Sequence, residues 1–221
     1  MKFNLLKLIP ILFSIFIIES CSKSPTKIKY LALGDSYTIG EGVQEKNRWP
    51  NQLVNRLEEK FNYLVDLEII AKTGFTSFEL LEEIDNIKVS ENFDYVSLLI
   101  GVNNQFRGLD IKDFERDLNI LMDKSIDFAN GKKRNIFVLS IPDWGVTPYG
   151  IKKNRDSVSQ QIDVYNELVN DISVSKGLKF FNITEISRKI NDINGLLASD
   201  ELHPSGKMYS LWVDEIITFF N

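Results

Sequence analysis

Residues 28–36 read IKYLALGDS, a short apolar run that ends in a Gly-Asp-Ser turn. A run of this length, rich in large and β-branched residues and bounded by a turn, predicts a buried β-strand. Four more runs of this kind follow along the chain. We therefore predict five strands, at residues 28–33, 64–70, 95–100, 135–141 and 178–183.

Longer segments with apolar residues at helical spacing separate these runs. Helices are predicted at residues 50–61, 77–87, 111–128, 157–175 and 205–220. Strands that are apolar along their whole length and alternate with helices favour right-handed crossovers and a parallel sheet covered on both faces. The sequence therefore predicts a single α/β domain, folded as a three-layer α/β/α sandwich.

The composition excludes several classes of protein. The 221 residues carry 26 basic and 31 acidic side chains, a formal net charge of -5, without a basic stripe that could capture a phosphate backbone. One cysteine rules out a disulfide framework, and one cysteine with one histidine rules out a zinc site of nitrogen and sulfur ligands. We expect no nucleic-acid partner, no metal and no cofactor.

Residues 1–20 have the layout of a secretory signal peptide. Lys2 and Lys7 precede an uncharged apolar run at residues 8–18, which is too short to span a membrane as a helix. The segment Ile18-Glu19-Ser20-Cys21 then resembles a bacterial lipoprotein box, whose cysteine is acylated and becomes the mature N-terminus. Several acyl chains on that cysteine would hold the protein at a membrane, since each buried methylene contributes about 0.8 kcal/mol.

This layout predicts a membrane-anchored lipoprotein of the bacterial cell envelope, on the periplasmic or the outer side. Residues 21–27 would form a short tether, and the folded domain would span residues 28–221. Glu19 departs from the small or apolar residue that is usual in the lipoprotein box. The alternative is a simple signal peptide cleaved near Ser20, which would leave Cys21 as an ordinary thiol. The position of the cysteine directly after the apolar run favours the lipoprotein.

Four polar loops lie where a parallel α/β sheet places its functional residues, near the carboxyl ends of its strands. Three of them follow predicted strands, and the fourth precedes the last helix. They are Gly34-Asp35-Ser36, Lys72-Thr73-Gly74-Phe75, Gly101-Val102-Asn103-Asn104 and Asp200-Glu201-Leu202-His203-Pro204. Each loop offers one element of acyl-transfer chemistry.

A serine hydroxyl becomes a useful nucleophile when a neighbouring base takes its proton. His203 is the single histidine of the chain, and Asp200, three residues earlier, can orient its ring. Pro204 biases His203 away from helical geometry and so favours a loop position at the start of the last helix. A lone histidine is more often a structural residue, and Gly-Asp-Ser alone is a common turn. The coincidence of four such loops favours catalysis.

Acyl transfer also requires preset donors for the oxyanion of a tetrahedral intermediate. Gly74 could offer its backbone N–H, Asn103 its side-chain amide, and Ser36 its own backbone N–H. The alternatives are a strand-ending turn at Gly74 and an Asx-type cap at Asn103.

These four blocks, in this order, resemble the SGNH hydrolases, also called GDSL esterases and lipases. The separations of 38 residues from Ser36 to Gly74, 29 to Asn103 and 100 to His203 suit a small member. The resemblance spans the whole predicted domain and implies a flavodoxin-like fold with strand order 2-1-3-4-5. It also implies that Ser36 is the nucleophile, His203 the general base and acid, and Asp200 the carboxylate that orients the histidine.

By the same resemblance, Ser36, Gly74 and Asn103 form the oxyanion hole. Two residues depart from the family pattern. Tyr37 stands where the namesake motif has leucine, and Asn104 stands where an aspartate is usual. The first change alters packing around the loop, and the second keeps hydrogen-bonding ability while it removes a charge.

Four residues near these loops are candidate substrate contacts. Trp49 and Trp144 could stack on a sugar or wall an acyl chain, although a tryptophan is more often a core residue. Arg107 could meet an anionic or hydroxylated substrate, and the alternative is a solvated loop arginine. The loops are short and leave no room for a lid. The apolar residues nearest the nucleophile would therefore make a shallow surface, namely Tyr37, Ile39, Phe75, Val102 and Phe106.

The sequence therefore predicts a serine esterase that removes short acyl or O-acetyl groups from carbohydrates or small esters. Its expected partners are a small ester or an acylated glycan, and a membrane through the lipid anchor at Cys21. One alternative is a thioesterase or lysophospholipase that acts on longer acyl chains. The other is a non-catalytic envelope lipoprotein that binds glycans. A nucleophile and a base on separate loops favour the enzyme, since a binding module has no physical need for them.

Overall fold

We describe the fold from a computed structural model of the chain, which covers residues 24–89, 92–153 and 157–220. The predicted signal peptide and Cys21 lie outside the described residues. Within these ranges, no helix is both long enough and apolar enough to cross a membrane.

Five parallel strands form one sheet. They are β1 (Thr26–Gly34), β2 (Tyr63–Ala71), β3 (Tyr95–Leu99), β4 (Ile136–Leu139) and β5 (Lys179–Phe181). Their order across the sheet is β2-β1-β3-β4-β5, and every neighbouring pair is parallel. The α/β class and the strand order 2-1-3-4-5 are confirmed.

Nine α-helices accompany the sheet in the described residues. They are α1 (Ser36–Ile39), α2 (Trp49–Phe61), α3 (Ser77–Ile87), α4 (Val102–Phe106), α5 (Ile111–Phe128), α6 (Pro148–Lys152), α7 (Val158–Lys176), α8 (Thr184–Ser187) and α9 (Gly206–Ile216). Short 3-10 turns add Glu45–Asn47, Lys133–Asn135, Trp144–Val146 and Ile217–Phe220. The long helices pack in two groups around the sheet, α2 with α9, and α5 with both α3 and α7.

Strand β1 begins earlier than predicted. Thr26 and Lys27, which the sequence analysis assigned to the tether, pair with Tyr63 and Leu64 of β2. The Thr26 backbone N–H also donates to the carbonyl of Asn62, at 3.0 Å. The predicted tether therefore ends before Thr26, because the backbone hydrogen bonds of a polar strand end do not depend on an apolar pattern.

The register of the central strands brings the functional loops together. Gly34, the last residue of β1, pairs with Ala71 at the end of β2 and with Leu99 at the end of β3. The loops after these three strands therefore emerge side by side at one edge of the sheet. Strand order reverses between β1 and β3, and this is the position at which open α/β sheets place their sites.

Candidate active site

Ser36 lies at a tight turn between β1 and the short helix α1. A side chain at Gly34 would place its Cβ 2.2 Å from Thr38 Oγ1 and 2.6 Å from the carbonyl oxygen of Leu99, so the turn requires glycine. Asp35 caps the helix, since its Oδ1 accepts from the backbone N–H of Tyr37 at 3.0 Å. The chain then turns away from the sheet and presents Ser36 at the sheet edge.

A cavity of about 210 Å³ lies over this turn. It brings together Ser36, Gly74, Asn103, Trp144 and His203 of the predicted site. Six further residues, inside or near the four loops, also line the cavity: Tyr37, Thr73, Val102, Phe106, Tyr149 and Leu202. Asp200 lies behind His203 rather than in the cavity wall.

Asp200 holds the histidine in one orientation. Its Oδ2 lies 2.6 Å from His203 Nδ1, and its Oδ1 accepts from the backbone N–H groups of Leu202 and His203 at 3.0 and 2.9 Å. Partial burial alone would raise the pKa of Asp200, but these hydrogen bonds from His203 and Leu202 lower it below its usual value. An ionised Asp200 thus engages Nδ1 and leaves Nε2 as the histidine nitrogen available for proton transfer.

The three predicted oxyanion donors line the same cavity. Asn103 lies in the first turn of α4, and its Nδ2 donates to the carbonyl of Phe75 at 2.9 Å, which uses one of its two N–H bonds. Gly74 has a φ of 89°, a conformation that favours glycine. In the described part of the chain, the backbone N–H groups of Ser36 and Gly74 have no acceptor. Three N–H groups therefore remain for a bound oxyanion.

Asn104, the departure from the family pattern, anchors the asparagine loop to α3. Its Oδ1 accepts from the Ser77 backbone N–H at 3.0 Å, and its Nδ2 donates to Ser77 Oγ at 2.8 Å. The Ser77 hydroxyl in turn donates to the buried carboxylate of Asp117 at 3.0 Å. All three side chains are buried. An amide at this position therefore ties the loop to α3 through two hydrogen bonds.

Tyr37, the other departure, packs under the histidine. Its ring meets the His203 ring edge-on, with centroids 5.7 Å apart, and lies 6.5 Å from the ring of Trp212 in α9. Burial, together with the carboxylates of Asp35, Asp143 and Asp200, raises the pKa of Tyr37, so its hydroxyl stays neutral. Tyr37 thus links the position of the imidazole to the hydrophobic core.

Aromatic side chains wall one end of the cavity. The ring of Trp144 lies 5.1 Å from Phe106 and 6.3 Å from Tyr149. Its indole Nε1 donates to Gln105 Oε1 at 2.7 Å, and Gln105 Nε2 donates to Gln161 Oε1 at 2.7 Å. Trp144 is 1% exposed, so it serves as a fixed end wall and not as an open stacking platform.

Three of the four predicted substrate contacts do not line the cavity. Trp49 is 0% exposed, packs 6.4 Å from Phe137 and lines no part of the cavity, so its prediction as a substrate contact is wrong. Arg107 donates to Glu79 Oε1 at 3.1 Å and to the Gly74 carbonyl at 2.5 Å, which makes it a clamp on the glycine loop. Phe75 lies outside the cavity lining, although its carbonyl holds Asn103.

Three cavity residues were missed by the sequence analysis. Thr73 and Leu202 are direct neighbours of Gly74 and His203, and that adjacency was a usable signal. Tyr149 lies on α6, a five-residue helix in the loop after β4 that has too few residues to show a periodic pattern.

Asp35 is a buried carboxyl directly before Ser36. Its Oδ2 has no hydrogen-bond partner in the described residues, and burial raises its pKa to about 7, against the lowering effect of the Tyr37 N–H. A raised pKa means that the folded protein holds the Asp35 proton more tightly than the unfolded chain does. The contribution of this proton to the free energy of unfolding is therefore fully present at acid pH, and it is lost as pH rises through about 7.

Asp35→Asn should remove this pH dependence, because the amide is uncharged and similar in shape. Between pH 5 and pH 8, the wild type should lose unfolding free energy on the order of a few kcal/mol relative to the variant. Thermal unfolding midpoints of both proteins across this range measure the effect. Parallel curves would show that Asp35 does not titrate in the folded protein there.

The fold and the residues of the cavity together indicate the class of enzyme to which the protein belongs. A turn that presents a serine, an imidazole oriented by a carboxylate and a set of N–H donors at one sheet edge are the parts of an acyl-transfer hydrolase site. The profile of the GDSL-like lipase/acylhydrolase family matches residues 32–211. The chain belongs to this family, and it is an enzyme of the GDSL esterase class. No curated protein matches its sequence.

Solved structures show the same fold. The crystal structure of TesA has a TM-score of 0.68 at 18% identity, covering 87% of this chain and 98% of that one. The esterase EstA from Pseudoalteromonas sp. has a TM-score of 0.66 at 22% identity, covering 87% and 96%. The acetylxylan esterase Axe2 from Geobacillus stearothermophilus has a TM-score of 0.68 at 17% identity, covering 90% and 96%.

Proposed function

We propose that the protein is a serine esterase that uses Ser36, His203 and Asp200 as its catalytic triad. One observation carries this proposal. The cavity brings the Ser36 hydroxyl, the imidazole held by Asp200 and the donors of Gly74 and Asn103 to one place, although they come from four separate loops.

In the proposed reaction, Ser36 Oγ attacks the ester carbonyl carbon while His203 Nε2 takes the hydroxyl proton. The N–H groups of Ser36 and Gly74 and the amide of Asn103 stabilise the negative oxygen. The carbon–oxygen bond to the alcohol then breaks, and the alcohol oxygen takes the proton from His203. Water, deprotonated by His203, then attacks the acyl-enzyme carbonyl carbon. The bond from this carbon to Ser36 Oγ breaks, Oγ takes the proton back from His203, and the carboxylic acid leaves.

We further propose short acyl groups, with acetyl esters of carbohydrates as the leading natural substrates. The cavity has a volume of about 210 Å³ and is walled by the buried Trp144 with Phe106 and Tyr149, and we expect this wall to limit the length of the acyl chain that fits. The acetylxylan esterase activity of Axe2, a protein of the same fold, supports an acetylated glycan.

A series of p-nitrophenyl esters tests the acyl chain length. A deep acyl channel gains about 0.8 kcal/mol per buried methylene, so its kcat/KM rises steeply from two to eight carbons. Here we expect kcat/KM to peak at acetyl to butyryl and to decline by eight carbons. Release of acetate from acetylated xylan, compared with unacetylated xylan, tests whether an acetylated glycan is a substrate.

The Trp144→Ala variant, assayed with the same series of esters, tests whether the aromatic wall sets the acyl chain length. Removing the indole should open the end wall and move the maximum toward longer acyl chains, whereas Trp212→Phe in the core should leave the profile in place. A wild-type maximum at eight to twelve carbons would favour a thioesterase or lysophospholipase and leave the proposed triad unchanged.

We also propose that the protein is a lipoprotein anchored to the bacterial cell envelope through Cys21. The basic and apolar layout of residues 1–20 and the lipoprotein box support this proposal. The full-length protein should partition into the membrane fraction, and Cys21→Ser should release it or leave the precursor unprocessed. Mass spectrometry that finds an unmodified mature N-terminus would contradict the anchor.

A further inference from the structure

A second cleft, of about 490 Å³, adjoins the catalytic cavity. Two segments line it, residues 39–43 at the end of α1 and residues 71–73 at the end of β2, together with Arg48. Thr73 belongs to the lining of both spaces, and its hydroxyl donates to the carboxylate of Glu41. A molecule bound over the Thr73–Glu41 contact would reach from one space into the other.

Two cations line this second cleft without an acidic partner. Neither Arg48 nor Lys72 has a carboxylate within ion-pair distance in the described residues, and the buried Nε of Arg48 has no hydrogen-bond partner. The carboxylate of Glu41, which also lines the cleft, accepts from the Thr73 hydroxyl and keeps its negative charge, so the two cations outnumber it. Carboxylates pair with Arg56, Arg107, Arg116, Lys124, Lys152, Lys176 and Arg188. Other described cations, Lys46 among them, also have no carboxylate within ion-pair distance, so it is the buried and unpartnered Nε that sets Arg48 apart.

The backbone holds Arg48 in place. Gly40 has a φ of 74°, and a Cβ there would lie 2.4 Å from Arg48 Cγ, so the missing side chain makes room for the arginine stem. Lys72 lies over the ring of Phe75, with Nζ 5.8 Å from its centroid. Both cations are therefore supported by packing and not by a counter-charge, which leaves their charge available to a ligand.

The cleft shares Thr73 with the cavity but none of its aromatic wall, since Trp144, Phe106 and Tyr149 line the cavity alone. A Cβ on Gly42, in the cleft lining, would lie 3.6 Å from Asp200 Oδ2, so the cleft adjoins the carboxylate that orients His203. In the proposed reaction, His203 delivers its proton to the alcohol oxygen. The aromatic wall closes the other part of the cavity and suits the acyl group.

We propose that the second cleft binds the alcohol portion of the ester and that this portion carries an anionic group, a carboxylate or a phosphate, close to the acylated hydroxyl. Arg48 and Lys72 bind the anion, and the acyl group enters the cavity at Ser36. This subsite rests on the proposed esterase function, and it names the substrate class as an acylated acidic molecule, such as a uronic acid.

A pair of acetate esters that differ only in charge tests the subsite. They are 4-acetoxybenzoate, whose leaving group is anionic, and its neutral methyl ester. The ratio of their kcat/KM values should fall about tenfold in Lys72→Gln and in Arg48→Gln, the size of one charge-assisted hydrogen bond. Because each variant acts on both esters, their different intrinsic reactivities cancel when ratios are compared.

Lys46→Gln is the matched control, since Lys46 lies in the turn before Arg48 but outside the cleft lining. It should leave the ratio at the wild-type value. Thermal unfolding shows which variants fold. If Arg48→Gln does not fold, the test rests on Lys72→Gln, because Lys72 lies in an exposed loop. A ratio that is the same in Lys72→Gln and Lys46→Gln would overturn the subsite while ester hydrolysis stands.

Direct binding separates this proposal from the esterase itself. Isothermal titration with glucuronate, inorganic phosphate and glucose should give binding of one or both anions to the wild type and weaker binding to Lys72→Gln. Stronger binding of glucuronate than of phosphate would identify a carboxylate, and the reverse order would identify a phosphate. Equal binding of glucuronate and glucose, unaffected by Lys72→Gln, would overturn the subsite even if the wild type hydrolysed neither ester.

Discussion

Ser36→Ala should abolish ester hydrolysis and leave the fold intact. No other group in the cavity can form the acyl-enzyme, so kcat/KM for p-nitrophenyl acetate should fall by at least about 10⁴-fold. Ser36 Oγ makes no hydrogen bond in the described residues, so its removal leaves no buried partner unsatisfied and the unfolding midpoint should stay within a few degrees. Steady-state kinetics and thermal unfolding measure the two effects.

Two controls make this result specific. Ser210→Ala, in α9 and away from the cavity, should keep wild-type activity. A fluorophosphonate probe should label Ser36 in the wild type and leave the Ser36→Ala variant unlabelled. Normal turnover by Ser36→Ala would remove the serine mechanism. A wild type that neither hydrolyses esters nor takes the label would favour the glycan-binding alternative.

The long elements were predictable because their signals are local. Helices α3 and α5 match the predicted residues 77–87 and 111–128 at both ends. Thr76 and Glu79 form a capping box at the start of α3, and Asp110 caps α5, so each start is marked in the sequence itself. The four- and five-residue helices were missed, because helices this short depend on tertiary contacts more than on periodicity.

The candidate site was predictable where sequence order coincides with sheet geometry. Loops that follow neighbouring parallel strands must emerge at one edge, and this brings the serine, glycine and asparagine loops together. Burial was harder to predict, since Trp49 and Trp144 look alike in sequence. Trp49 lies in the first turn of α2, inside the core, whereas Trp144 is held at the cavity by Gln105.

The second cleft could not be predicted from any local pattern. Arg48 follows a 3-10 turn and Lys72 follows β2, and neither belongs to a recognisable motif. Their side chains become neighbours of one cleft because Gly34 and Ala71 pair in the sheet, which sets the loops after β1 and β2 side by side. That Arg48 and Lys72 line this cleft without a carboxylate in ion-pair distance is likewise visible only after folding.

The His203→Ala and Asp200→Asn variants should differ in a way that the geometry dictates. Loss of the base should cost as much as loss of Ser36, and the double variant Ser36→Ala/His203→Ala should be no worse than either single change, because the residues act as a unit. Asp200→Asn should retain some activity, with kcat lowered by about 10⁴-fold or less.

The loss in Asp200→Asn has a specific physical cause. Oδ1 accepts two backbone N–H groups, so the amide oxygen of asparagine should keep that position and turn its nitrogen toward His203 Nδ1. An amide N–H there would donate to Nδ1 and drive the imidazole proton onto Nε2, which could then no longer accept the proton of Ser36. In wild type the lowered pKa of Asp200 keeps its carboxyl group ionised at neutral pH, so Nδ1 of His203 stays the donor. Near wild-type kcat in Asp200→Asn, in a variant with an unchanged unfolding midpoint, would show that the proton on Nδ1 does not control the base.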